Sequence, residues 1–107
     1  MKAVIEIRNM RTTLHDNALW DFRVDRVSPV GNPFYMRSES ERNDVCDKYE
    51  TYFYEQLESN LKFNEYLQVM LNALKKYGKL NLYCWCAPKR CHAETIKTWL
   101  ENQIKEI

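Results

Sequence analysis

"KLNLYCWC", Lys79 to Cys86, decides how the chain folds. Leu80, Leu82 and Cys84 alternate with Asn81, Tyr83 and Trp85, so the run is nearly apolar on both faces. That pattern reads as a strand covered from both sides by helices, as in a parallel sheet. The flanks agree. Before it, Leu67, Met70, Leu71, Leu74 and Tyr77 recur at helical spacing, and Gly78 is a natural residue to end such a helix. After it, Pro88 interrupts the run, and from His92 onward Ile96, Trp99, Leu100 and Ile104 return to a helical stripe.

Further back, "ESNLKFN" breaks the chain, and Asn64 is placed to cap the helix that follows. The preceding helix is expected to start near Glu39, with Ser38 and Glu41 as a capping box. Val45, Cys46, Tyr49, Tyr52, Phe53 and Leu57 form its apolar stripe. "SPVGNPF", with two prolines and a glycine in five positions, is irregular. In "LWDFRVDRV", Trp20, Phe22, Val24 and Arg26 alternate with Leu19, Asp21, Arg23 and Asp25, a strand with one buried face. "KAVIEIR" at the start is a short strand of mixed burial, and the polar stretch from Asn9 to Ala18 is irregular. The order is β-β-α-α-β-α. It predicts a small single α/β domain over residues 1–107, with a mostly parallel Rossmann-like sheet and flanking helices. The first and third strands are expected side by side near its centre.

A chain of 107 residues supports one modest core. Apolar residues at 45% and charged residues at 29% describe an ordinary globular mix. A formal charge of +1 argues against nucleic acid held by bulk electrostatics. No run approaches the roughly 18 apolar residues of a membrane span. "MKAVIEIRNM" lacks the features of a leader, so a cytoplasmic, reducing location is expected. The four cysteines are then free thiols or metal ligands rather than disulfides. No cofactor is expected.

Three cysteines and a histidine crowd into residues 84–92, and three readings of them stay open. Cys84 and Cys86 share a strand face, and Cys91 with His92 could complete a zinc set; against this, adjacent residues tend to diverge. Alternatively, Cys91 begins the last helix, where unpaired N–H groups lower a thiol's pKa and make it a nucleophile. The plain alternative is that Cys84, and Cys86 with it, are small buried apolar residues. Cys46 belongs to the core, and His15, in a polar loop, is solvated.

Ligands of open α/β sheets bind outside the carboxyl ends of the strands. "CAPKRCH" is a loop at such an end, and the irregular stretch from Arg26 to Phe34 is another. If the two meet, Arg26, Ser28 and Asn32 form one wall of a pocket and Cys86, Cys91 and His92 the other. Arg26, Arg37 and Arg90 would then hold a phosphate or carboxylate.

"SPVGNPF" (residues 28–34) and "CWCAPKRCH" (residues 84–92) together resemble a family of phage and bacterial proteins, domain of unknown function 4326. Glu94 also matches its pattern, whereas Ala93 replaces its usual glycine. The last strand, loop and helix are more weakly similar to domain of unknown function 488. The resemblance implies an α/β fold and a bacteriophage or bacterial source, and carries no established activity.

The leading expectation is a small ligand-binding domain, or an enzyme, for a nucleotide or nucleoside-like anion. Cys91 would be its nucleophile, His92 a general acid or base, Arg26 the anion's partner and Asn32 a positioning group. The rivals are a phage-encoded protein that binds a host protein in the host cytoplasm, and a zinc-stabilised structural domain. The plain reading of "GNPF" is a turn serving backbone geometry alone.

Overall fold

The alternation of Val4, Ile5, Glu6 and Ile7 produces a first strand, β1 (Val4–Asn9), which pairs in parallel with β3 (Lys79–Cys84). The computed structural model describes residues 3–11, 18–86 and 89–105; His15 and Pro88 lie outside them. A short β2 (Asp21–Arg23) pairs with the other edge of β3, also in parallel, giving the order β1-β3-β2. β1 and β3 are therefore neighbours, as expected, but β3 alone is central and β1 is an edge. Three helices complete a small α/β domain: α1 (Arg42–Ser59), α2 (Leu61–Tyr77) and α3 (Ala93–Lys105).

Ile5 lies opposite Leu80 and Phe22 opposite Leu82, so one sheet face is a continuous apolar surface. Leu80, Leu82 and Cys84 join a single buried cluster with Tyr49 and Phe53 of α1, Leu67 and Leu74 of α2, and Ile96 and Leu100 of α3. Each buried leucine contributes about 2 kcal/mol of transfer free energy. Among the described residues, the apolar cover expected on both faces of β3 is found on one. Asn81 and Tyr83 are buried but stand outside the cluster, and their sheet neighbours are Glu6, Arg8, Asp21 and Arg23. Asn81 donates its side-chain amide to the Asp21 carboxylate at 2.7 Å, which satisfies a polar group that burial would otherwise penalise.

Local details correct two expectations. Ser38 makes no side-chain cap; the Glu41 carboxylate instead accepts the Arg37 backbone N–H at 2.8 Å, and a 3-10 turn (Glu39–Glu41) precedes α1. Asn60, not Asn64, caps α2 by accepting the Phe63 N–H at 3.1 Å. Asn64 ties the two helices together by donating to the Leu57 and Asn60 carbonyls. Gly78 ends α2 as expected, in the left-handed region at φ 72°. Among the described residues no helix is long and apolar enough to cross a membrane.

Candidate functional site

All three strands run in parallel, so the loops leaving β2 and β3 open at the same end of the sheet. The loop after β2 is built around Asp25. Its carbonyl accepts from both the backbone N–H (2.9 Å) and the hydroxyl (2.8 Å) of Ser28, which turns the chain and ends the strand earlier than the alternation through Val27 predicts. Gly31 then passes so close to this turn that an added Cβ would sit 2.4 Å from the Asp25 carbonyl oxygen. Arg26 reaches along the loop, donating to the Asn32 carbonyl at 3.0 Å and the Phe34 carbonyl at 2.8 Å, with Tyr35 stacked 4.0 Å from its guanidinium. Among the described residues no carboxylate pairs with Arg26, the one cavity arginine so placed; Arg23, Arg42 and Arg90 bond Asp25, Glu39 and Asp47.

The loop after β3 is tied to the first by two contacts. Trp85 donates its indole N–H to the Asp25 carboxylate at 2.9 Å, beside the Arg23–Asp25 ion pair. His92 bonds the Val24 carbonyl through Nε2 and stands edge-on to the Tyr49 ring, 4.9 Å away. Between the loops lies a cavity of about 600 Å3, lined by Arg26, Asn32, Phe34, Tyr35, Arg42, Trp85, Cys86 and Cys91 among others. Volumes of this size suit small-molecule ligands.

Six of the seven residues expected at the site line this cavity: Arg26, Asn32, Cys86, Arg90, Cys91 and His92. Ser28 does not; its hydroxyl is spent on the Asp25 turn. Arg37 is also absent from the wall and pairs with Glu41 at 3.3 Å. Arg90 borders the cavity, yet its guanidinium is turned onto α1, bonding Asn43 and Asp47. The N-terminus of α3 is not an open anion site either, because the Glu94 carboxylate accepts the Cys91 N–H at 3.2 Å.

Asn32 stands out among the wall residues. It is 9% exposed, and its Oδ1 accepts the Phe34 N–H at 2.8 Å. That bond fixes the amide orientation and directs Nδ2, which bonds no described residue. A buried amide donor without a partner is costly unless something else accepts from it.

The thiols depart most from expectation. A carbonyl can only accept, so His92 carries its proton on Nε2, which leaves Nδ1, 3.3 Å from the Cys91 sulfur, as an acceptor beside that thiol. Burial lowers the His92 pKa and keeps the ring neutral. Cys91 is pushed strongly up by the neighbouring Cys84 and Cys86 thiols and by burial, the reverse of an activated helix-terminal cysteine. Cys86 moves the other way, to about 6, because the Cys91 thiol and the Arg42 guanidinium both hydrogen-bond its sulfur. The thiolate is thus Cys86, and His92, with both nitrogens engaged inside the protein, is not free to act on a ligand directly. Cys84 and Cys46 are buried, as expected. Among the described residues no group of three or more Cys, His, Asp or Glu is arranged to hold a metal ion.

Arg42, Trp85 and Tyr35 were not anticipated from the sequence. Arg42 did leave one trace: a basic residue in the first helical turn opposes the helix dipole.

The family model for a domain of unknown function, DUF4326, matches residues 7–102. The chain belongs to the DUF4326 family. Of the two families that the sequence resembles, this is the one it matches, and the matched span takes in both loops and every residue of the cavity. No curated protein and no solved structure matches this DUF4326 domain.

The buried imidazole gives the domain a pH dependence of known sign. The unfolded chain binds the histidine proton more readily than the folded one, so the His92 contribution is complete above about pH 6.5 and is lost as pH falls below it. Cys86 acts in the same direction over higher pH, its contribution being complete near pH 9 and lost by about 6. Urea midpoints between pH 7.5 and 5 should fall for the native chain. For His92→Gln the midpoint at pH 7.5 should be lower, reflecting a loss of about 1–2 kcal/mol, and its decline below pH 6.5 shallower.

Proposed function

We propose that the domain binds a small nucleotide- or nucleoside-like anion in the cavity between the two loops, at the carboxyl end of a Rossmann-like sheet. The observation that carries this reading is the buried Asn32 amide on the cavity wall, whose Nδ2 bonds no described residue. Its surroundings match such a ligand in kind. Phe34, Tyr35 and Trp85 offer flat apolar faces for a base, and Arg26 offers a positive charge without a carboxylate partner. Asn32 would donate to a carbonyl or phosphoryl oxygen. If the domain is an enzyme, Cys86 is its nucleophile, Cys91 and Arg42 hold that thiolate, and His92 positions Cys91. Four free thiols suit a reducing, cytoplasmic location.

A protein partner remains the rival reading, favoured by the exposure of Val27 (77%) and Tyr35 (76%) at the cavity rim. Calorimetric titration with nucleoside monophosphates, the matching nucleosides and inorganic phosphate separates the two. Ligand binding predicts saturable heat with at least one monophosphate. It also predicts at least tenfold weaker binding by Asn32→Asp, which keeps the Phe34 contact and replaces the donor with an acceptor. Absence of binding at millimolar concentrations across the panel, or unchanged affinity in Asn32→Asp, contradicts the proposal.

A further inference from the structure

Cys86 is half-buried on the cavity wall, and Cys91, 3% exposed, lies behind it with the two sulfurs in hydrogen-bond reach. Arg42 and Cys86 share the cavity wall, and His92 Nδ1 sits 3.3 Å from the Cys91 sulfur. One sulfur thus faces solvent through the cavity beside a fixed cation, and a second stands next to it with its own proton acceptor. Binding of an anion does not require this arrangement. Cys84, fully buried beyond Cys91, has no such access, and Cys46 is buried on α1.

We propose that Cys86 and Cys91 form a peroxide-oxidisable thiol pair, with Cys86 as the attacking sulfur and Cys91 as the resolving one. The Cys86 thiolate attacks one oxygen of a hydroperoxide, ROOH. An S–O bond forms, the O–O bond breaks, and RO⁻ leaves and takes a proton from solvent. Cys86 is oxidised by two electrons to the sulfenic acid. Cys91 gives its proton to His92 Nδ1, and its thiolate attacks the Cys86 sulfur. The S–S bond forms as the S–O bond breaks, and the departing hydroxide recovers the proton from His92 as water. Two thiols and ROOH become a disulfide, ROH and water, and a dithiol reductant returns both thiols by exchange. The proposal is independent of the ligand reading, since it needs no bound anion.

The test exposes the full chain to hydrogen peroxide, blocks residual thiols in denaturant and maps the digest by mass spectrometry. Lys89 and Arg90 lie between the two cysteines, so trypsin leaves them on separate peptides that only a disulfide joins. The expected product is a Cys86–Cys91 disulfide, reversed by dithiothreitol. Cys86→Ser should slow peroxide-driven thiol loss at least about tenfold, because the remaining thiols are protonated or buried. Cys91→Ser should stall at a Cys86 sulfenic acid that dimedone traps. A disulfide mapped to Cys84, equal slow oxidation of all four thiols, or no trapped adduct in Cys91→Ser would overturn the proposal. The native chain's disulfide map decides the matter even if one variant fails to fold.

Discussion

Gly31→Ala should destabilise the domain by about 3 kcal/mol and empty the candidate site of its first wall. The new methyl would meet the Asp25 carbonyl oxygen at 2.4 Å and the Arg26 Cα at 2.6 Å. Both are backbone atoms, so no side chain can swing aside, and the Asp25–Ser28 turn or the Asn32 segment must move. Movement there costs more than the clash. Asp25 holds Arg23 and Trp85, Val30 caps the Tyr49 hydroxyl, and Asn32 and Phe34 hold Arg26. Urea denaturation reads the loss directly. Gly78→Ala is the useful comparison, because that glycine is needed only for its left-handed φ and should cost about 1 kcal/mol. Equal, small losses at the two positions would mean that the loop is not clamped as described.

The second large effect is expected at Tyr49, which stands between α1 and both loops. Its ring is fully buried, packed on Phe53 and against the edge of His92, while its hydroxyl donates to the Val30 carbonyl at 2.6 Å. Burial also raises the Tyr49 pKa, so the hydroxyl keeps its proton and remains a donor. Tyr49→Phe removes only that bond and leaves a buried carbonyl unpaired, a loss of about 1–2 kcal/mol. Tyr49→Ala also opens a cavity beneath His92 and should cost about 4 kcal/mol. Thermal or urea unfolding of the three proteins should place Tyr49→Phe between the native chain and Tyr49→Ala. A Tyr49→Phe variant as stable as the native chain would show that the hydroxyl does not hold the Val30 segment.

Much of the fold was legible because its signals are local. The alternation of β1 and β3, the stripe of α2 and the stop at Gly78 each depend on residues within a few positions of one another. Other local signals misled because a second polar group competed for the same partner. The Ser38 hydroxyl pairs with that of Ser40 instead of capping the helix, and Asn60 takes the cap that Asn64 could have taken. The alternation of residues 19–27 suggested a longer β2 than the three residues observed, since the Asp25 carbonyl turns to meet Ser28.

At the site, sequence pattern pointed to the two loops but not to the division of labour within them. Parity put Cys84 and Cys86 on one strand face, yet which thiol ionises depends on Cys91 in the loop and on Arg42, 44 positions away in the chain. The helix-terminal position of Cys91 suggested activation. The neighbouring Cys84 and Cys86 thiols and its depth override that influence. Ser28, Arg37 and Arg90 carry groups suited to an anion, but each is spent on a nearby partner that only the folded chain reveals.

The most direct test of the central claim is a two-dimensional 15N NMR titration of the full chain with the monophosphate that binds best in calorimetry. Site occupation predicts that the Asn32 side-chain amide and the Trp85 indole N–H shift together and saturate with one affinity, with backbone changes confined to residues 24–37 and 85–92. Shifts that instead gather on the opposite sheet face, around Trp20, Lys79 and Asn81, while Asn32 and Trp85 stay still, would contradict it.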